Sequence, residues 1–489
     1  MSVSKKGKII SHGKIYLAGN ILQRCVSFIM LPIYTRMLSP SDYGTIELLS
    51  MVLDFVGIIL GLRIGQSIFR FYAAYEEQKD KSEVITTAIY LVCLLNLVGI
   101  SVLFIAADFI TIAVFDDIQQ KNNLILFSMT LLMQAFVEIP MTYIRAKQRP
   151  GLFVKFSILK LVLQLGLNII FVVILRMHVE GVIYSAVISS AIMAILLGTY
   201  AFKECGINFS FPKARELVFF SLPLMLTGIL AFYITFGDRY FLRIYGGLDS
   251  VGLYSLAYKF GFLLMFLVAG PFGAIWDSEK YNIVKLDNAQ KIFSDTFTTY
   301  STVVLLVCIS ITLFVKDALH IMSAPPFWEA SKIVPVILAA YVTNAWCDYI
   351  NLGILLKNKT IEITYGTALA GLVITAGYLY LIPKYGALGA AWATLLAFGV
   401  RALWVYYKAK RLYDLGIVWR HSWFMVVLWI GVYGLSRMGW ELPLLQSILL
   451  NFLLICFVFA TVLFTPLLPY GVRKQLRQVV TQPKKILVI

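Results

Sequence analysis

The stretch Lys14–Gly44, K-I-Y-L-A-G-N-I-L-Q-R-C-V-S-F-I-M-L-P-I-Y-T-R-M-L-S-P-S-D-Y-G, decides how the chain is read. It is long and apolar enough to cross a bilayer, yet Arg24 stands near its middle. Ten helical residues separate Arg24 from Lys14, a rise of ~15 Å, about half the hydrocarbon thickness. A charge at that depth costs several kcal/mol unless it faces protein or a watery cavity. Asn20 and Ser27 lie about one turn away on either side, so the span carries a polar stripe. Two readings stay open: Arg24 is an ion-pair partner inside a bundle, or it lines a path for something anionic.

Spans of this kind recur from one end of the chain to the other. Of the 489 residues, 60% are hydrophobic and only 14% charged, with a mean hydropathy of +0.82. A soluble domain carries about 25% charged residues. The apolar runs do not alternate with polar positions, which excludes a transmembrane barrel. The fold class expected is therefore all-α and polytopic, with about fourteen membrane helices. The net charge of +16 is spread over short loops rather than gathered in one patch, which is topology and not nucleic-acid binding. Lys5, Lys6 and Lys8 before the first apolar run resemble a signal peptide, but the run is long and no small-residue cleavage site closes it, so a retained first helix is expected. Six scattered cysteines without a C-x-x-C, and four histidines at or near helix ends, suggest neither disulfides nor a metal.

Lys and Arg set the orientation. With the N-terminus inside, the inner loops hold roughly three times as many basic residues as the outer ones, so both termini are expected in the cytoplasm. An internal repeat adds the architecture. Arg36–Gly44 closes the first span, and Arg243–Gly252 closes the seventh, with Gly252 standing 208 residues after Gly44. Glu180-Gly-Val-Ile-Tyr-Ser-Ala is echoed by Leu388-Gly-Ala-Ala-Trp-Ala-Thr, and Arg145–Arg149 by Leu355–Lys359. An offset of six helices gives two parallel lobes. The expected domains are 1–206 (first six helices), 207–413 (next six) and 414–489 (two further helices and a basic tail).

Repeats of this kind place a substrate near the midplane, so charge at that depth matters. Glu47, Ser50 and Asp54 share a face of the second span, and Asp54 matches Arg24 in depth. Gln134, Glu138, Thr142 and Arg145 stripe the fourth; Lys160, Gln164 and Asn168 the fifth. Lys259, Asn344, Asp348 and Arg401 carry polarity into the second lobe. The cationic set Arg24, Lys160, Lys259 and Arg401 suits an anionic substrate. Asp54, Glu138, Asp348 and Glu47 are candidates for ion coupling or for ion pairing with those cations. At the inner end of the second span Arg63 and Arg70 stand seven residues apart, hence on one helical face. They form either a snorkelling anchor or a phosphate dock.

Arg24, Leu31-Pro32, Arg36 with S-P-S-D-Y-G, and the S-I-F-R-F-Y run at Ser67–Tyr72 make the chain resemble bacterial polysaccharide flippases. These are the O-antigen (Wzx-type) branch of the multidrug/oligosaccharidyl-lipid/polysaccharide superfamily. The resemblance implies movement of an undecaprenyl-pyrophosphate-linked oligosaccharide to the outer leaflet of the bacterial inner membrane by alternating access, with H+ or Na+ coupling. No loop is long enough for a separate soluble domain, so no enzymatic activity and no other cofactor are expected; a monomer in the bilayer is expected, with a polysaccharide polymerase and glycosyltransferases as partners. Trp276, Trp346, Tyr258 and Tyr349 are candidate platforms for the sugars. A lipid II-type flippase and a multidrug/cation antiporter of the same superfamily are the competing functions. A non-transporting scaffold is disfavoured by charge buried along several helices.

Overall fold

Helix ends are written into the sequence. In the repeated segment, Ser39 and Asp42 cap each other: the Asp42 amide donates to Ser39 Oγ at 3.1 Å and the Ser39 amide to Asp42 Oδ2 at 3.0 Å. Pro40, at the first helical position, has no amide to lose there. The computed structural model describes residues 28–61, 63–438, 442–465 and 467. Arg24, Asn20 and Ser27 lie outside them, as does most of the basic tail.

The described residues form helices throughout. They are α1 (28–37), α2 (Pro40–Gly61), α3 (Ile64–Ala74), α4 (Gln78–Ile105), α5 (Ala107–Phe115), α6 (Lys121–Ala146), α7 (Pro150–Asn168), α8 (His178–Cys205) and α9 (Phe211–Leu264). There follow α10 (Gly270–Ile283), α11 (Ala289–Met322), α12 (Ala330–Ile350), α13 (Leu352–Leu355), α14 (Ile361–Tyr380), α15 (Ile382–Leu412), α16 (Arg420–Met438) and α17 (Leu444–Phe464). The chain is an all-α, polytopic membrane protein.

Eleven of the described segments are long and apolar enough to cross a membrane. One of these, Phe211–Asp277, runs for 67 residues and holds the seventh and eighth spans read from sequence. The two halves meet at Gly247, whose φ of 72° breaks the helix. Helix α16, with 19 residues, coincides with the thirteenth span, and α1 with the end of the first.

Two compact units divide at Ser255 and Leu256, later than the boundary at 206 that the repeat register sets. The first half of α9 packs in the first unit. Lys213 bonds Asp80 and Glu83 of α4, each at 2.7 Å, and Ser221 meets Ser67 of α3 at 3.2 Å. Beside them Tyr75 donates to Glu216 at 2.6 Å, and the accepting carboxylate pushes its phenol up to about 12.

Within the first unit, α6 lies against α4 and α8, and Ile64, Ile85, Ile89, Ala135 and Tyr143 form its core. The two repeated glycines pack on each other here. A methyl on Gly44 would sit 2.2 Å from the Leu248 carbonyl oxygen, and one on Gly252 would sit 2.0 Å from that of Pro40.

In the second unit α15 lies against α12 and α14, while α16 and α17 pack on α11. The last helix is tied by Asp317, 3% exposed, which accepts from Ser447 and from Asn451, both at 2.7 Å.

Candidate functional site

Three adjoining chambers open in the first unit, and Glu138 of α6 lines all of them. The largest, about 680 Å³, is lined by Arg63, Phe69, Glu138, Thr142, Arg145, Lys160 and Gln164. A second, about 300 Å³, is lined by Asp54, Arg63, Asn96, Gln134, Glu138 and Phe232; a third, about 210 Å³, by Ser50, Asp54, Gln134, Glu138 and Lys160.

Each side chain arrives there for a local reason. On α6 the period of 3.6 aligns Gln134, Glu138, Thr142 and Arg145. Gln134 Nε2 donates to Glu138 Oε1 at 2.8 Å, and Arg145 Nη2 donates to Thr142 Oγ1 at 3.0 Å. The Arg145 guanidinium also lies 5.5 Å from the Phe69 ring centre and 5.7 Å from that of Phe153, an aromatic setting that favours a cation.

On α7 the stripe divides its tasks. Asn168 accepts from Tyr34 at 3.1 Å and Gln164 accepts from Ser189 at 2.5 Å, while Lys160 is exposed on the chamber wall. Lys160 and Glu138 line the same two chambers, with no ion pair between them.

Arg63 and Arg70 do not share a helical face. Arg63 adopts the left-handed conformation, φ 55°, just before α3, so the helical register between them is broken. Arg63 lines two chambers, beside Gly228 of α9, where a methyl would come within 2.8 Å of its Nε. Arg70 instead lies over Phe220, 4.5 Å from the ring centre. Asp54 lines two chambers, whereas Glu47 approaches the buried Tyr43 hydroxyl.

The other sequence candidates stand in the second unit. Arg401 Nη1 donates to Asn344 Oδ1 at 2.9 Å, and its Nη2 reaches Asp348 at 3.4 Å. Lys259 is half-buried on α9. The four proposed sugar platforms are core residues. Trp276 stacks on Tyr349 at 4.9 Å, Trp346 donates to Ser301 at 2.9 Å, and Tyr258 is fully buried against Tyr341.

Two residues escaped the sequence reading. Asp238 and Arg239 form a buried pair at 2.8 Å inside α9.

Bilayer-length helices in two compact units, with a charged cavity inside one of them, define a polytopic helical membrane fold. Known structures share it. The lipid II flippase MurJ, in an inward closed conformation, matches with a TM-score of 0.72 at 14% identity, over 92% of this chain and 98% of that one. A multidrug-resistance MATE-family transporter of the MOP superfamily matches in its inward-facing form (TM-score 0.62, 17% identity, 80% and 95% of the two chains). Such a transporter in an outward-facing form matches with a TM-score of 0.60 at 16% identity, over 84% and 96%. At these identities the likeness is one of fold. Among curated proteins no sequence matches the chain. Residues 12–276, more than half of the chain, match the family described as polysaccharide biosynthesis protein, and the chain belongs to that family.

Proposed function

We propose that the protein is a flippase for a polyprenyl-pyrophosphate-linked oligosaccharide, carrying it from the cytoplasmic to the outer leaflet of the bacterial inner membrane by alternating access. One observation carries this reading: Arg63, Arg145 and Lys160 converge on a chamber of about 680 Å³ within the membrane-spanning part of the first unit. A diphosphate is a compact anion that forms short, charge-assisted hydrogen bonds with guanidinium and ammonium groups, each worth about 1.5–3 kcal/mol. The polyprenyl tail stays in lipid, and the glycan head needs the polar wall that Gln134, Asn96 and Gln164 supply.

The substrate is moved rather than altered, so no bond-making residue is assigned. Arg24 belongs to the proposed cationic path by its depth in the first span, and Lys259 by its place on α9. Arg401 is held by Asp348 and Asn344, which suits a supporting part. Asp54 and Glu138 are the carboxylates proposed for H+ or Na+ coupling, and a polymerase and glycosyltransferases are the proposed partner enzymes. A drug antiporter, whose substrates are cationic, would repel its cargo from a chamber with three basic residues. A lipid II-type flippase shares the head-group chemistry and differs in its glycan.

The test is complementation in a strain lacking its own polysaccharide flippase. Lys160→Ala and Arg24→Ala are expected to abolish surface polysaccharide while the protein still inserts in the membrane. Full complementation by both would overturn the cationic path.

A further inference from the structure

Helices α6 and α12 carry one polar pair at one spacing. Gln134 precedes Glu138 by four residues, and Asn344 precedes Asp348 by four, 210 positions later. That offset is the one relating Arg145–Arg149 to Leu355–Lys359, so the pairs are repeat mates. Each amide donates to its carboxylate, at 2.8 Å in α6 and 3.1 Å in α12.

The third member differs. In the second unit Arg401 closes on both residues of the pair, at 2.9 and 3.4 Å. In the first unit Lys160 shares two chambers with Glu138, and no ion pair joins them. One copy of the motif is shut by its own guanidinium. The other stands open on a chamber whose described charged lining is Arg63, Arg145, Lys160 and Glu138.

A carboxylate is a poor lining for an anion site unless its effect on affinity is useful. Three cations without a counter-charge would hold a diphosphate tightly, and a transporter that binds too tightly does not let go. Resting on the flippase reading, we propose that Glu138 is an internal counter-anion: it competes with the substrate's phosphates for Lys160 and so drives release of the head group. Gln134 holds the carboxylate back from Lys160, which keeps the chamber open to the incoming anion.

The probe is glucose joined to farnesol through a diphosphate, titrated by calorimetry into the full-length protein in nanodiscs. Glu138→Gln keeps the shape of the side chain and removes its charge. It is expected to bind the probe about tenfold tighter, as one fewer competitor for a charged hydrogen bond implies, and to translocate it more slowly. In a Lys160→Met background the same change is expected to add no affinity, because the contested cation is gone. Gln134→Leu, which frees Glu138 to reach Lys160, is expected to weaken binding. Unchanged or weaker binding in Glu138→Gln, or unchanged binding in Gln134→Leu, overturns the proposal while leaving the flippase reading intact. If the wild-type protein binds none of the probe, the flippase reading falls and takes this one with it.

Discussion

Asp238 is 0% exposed and Arg239 1%, a charge pair between neighbours on one helix. Asp238 Oδ1 accepts from Arg239 Nη1 at 2.8 Å and its Oδ2 from Tyr254 at 2.6 Å, while Arg239 also reaches the Thr235 carbonyl at 3.2 Å. Removing one member of a buried pair takes a close counter-charge from the other, a loss of about 3–5 kcal/mol. Losing one hydrogen bond to a charged group costs about 1.5–3 kcal/mol. Asp238→Ala is therefore expected to lower the melting temperature in detergent more than Tyr254→Phe does. Equal losses would show that the pair adds nothing beyond the tyrosine. This pair was not legible in sequence, because Arg239 stands only a few residues before Gly246-Gly247 and counts there as a loop charge. Glu138 and Lys160 were legible for the opposite reason: each belongs to a polar stripe at helical spacing, and the stripe fixes its face.

At the scale of elements, the repeated segments owe their form to two glycines. The Ser39–Asp42 box starts α2, which brings Gly44 to the Leu248 carbonyl, and Gly252 meets the Pro40 carbonyl in return. The neighbours are backbone atoms, so neither can swing aside to admit a methyl. Gly252→Ala is expected to push these turns apart at a cost of about 1–3 kcal/mol, as overpacking does. It would show as a lower melting temperature and reduced complementation, and a variant as stable as wild type would refute the close packing. The same logic recurs where the second repeat match falls, with Gly181 against the Phe171 carbonyl and Gly389 against that of Leu381. Sequence displayed these glycines as repeat marks, but the carbonyls they meet belong to remote or differently phased segments. The left-handed turn at Arg63 was hidden in the same way. Two arginines seven apart imply a shared face only if the helix is unbroken between them.

At the scale of the molecule, charge separates the two ends of the first unit. Lys147, Arg149 and Glu204 cluster where α6 meets α7 and α8 ends, and Lys213 joins Asp80 and Glu83 nearby. At the far ends of α4 and α6 stand Asp108, Asp116 and Asp117, with Lys121 bonded to Asp108 at 2.7 Å. Basic residues resist translocation whereas acidic ones matter little, so the end rich in Lys and Arg is the one expected in the cytoplasm under the flippase reading we propose. Arg145, which lines the largest chamber, stands two residues before Lys147 of that basic end. A fluorescent protein fused to the C-terminus is accordingly expected to fluoresce, because it folds in the cytoplasm. Alkaline phosphatase fused after Asp116, a segment placed outside, is expected to be active. The reverse pair of results would invert the molecule, and Arg63 and Arg145 would then meet their anion from outside. The proposed direction of transport would be lost with it, although every distance within the chamber stayed the same.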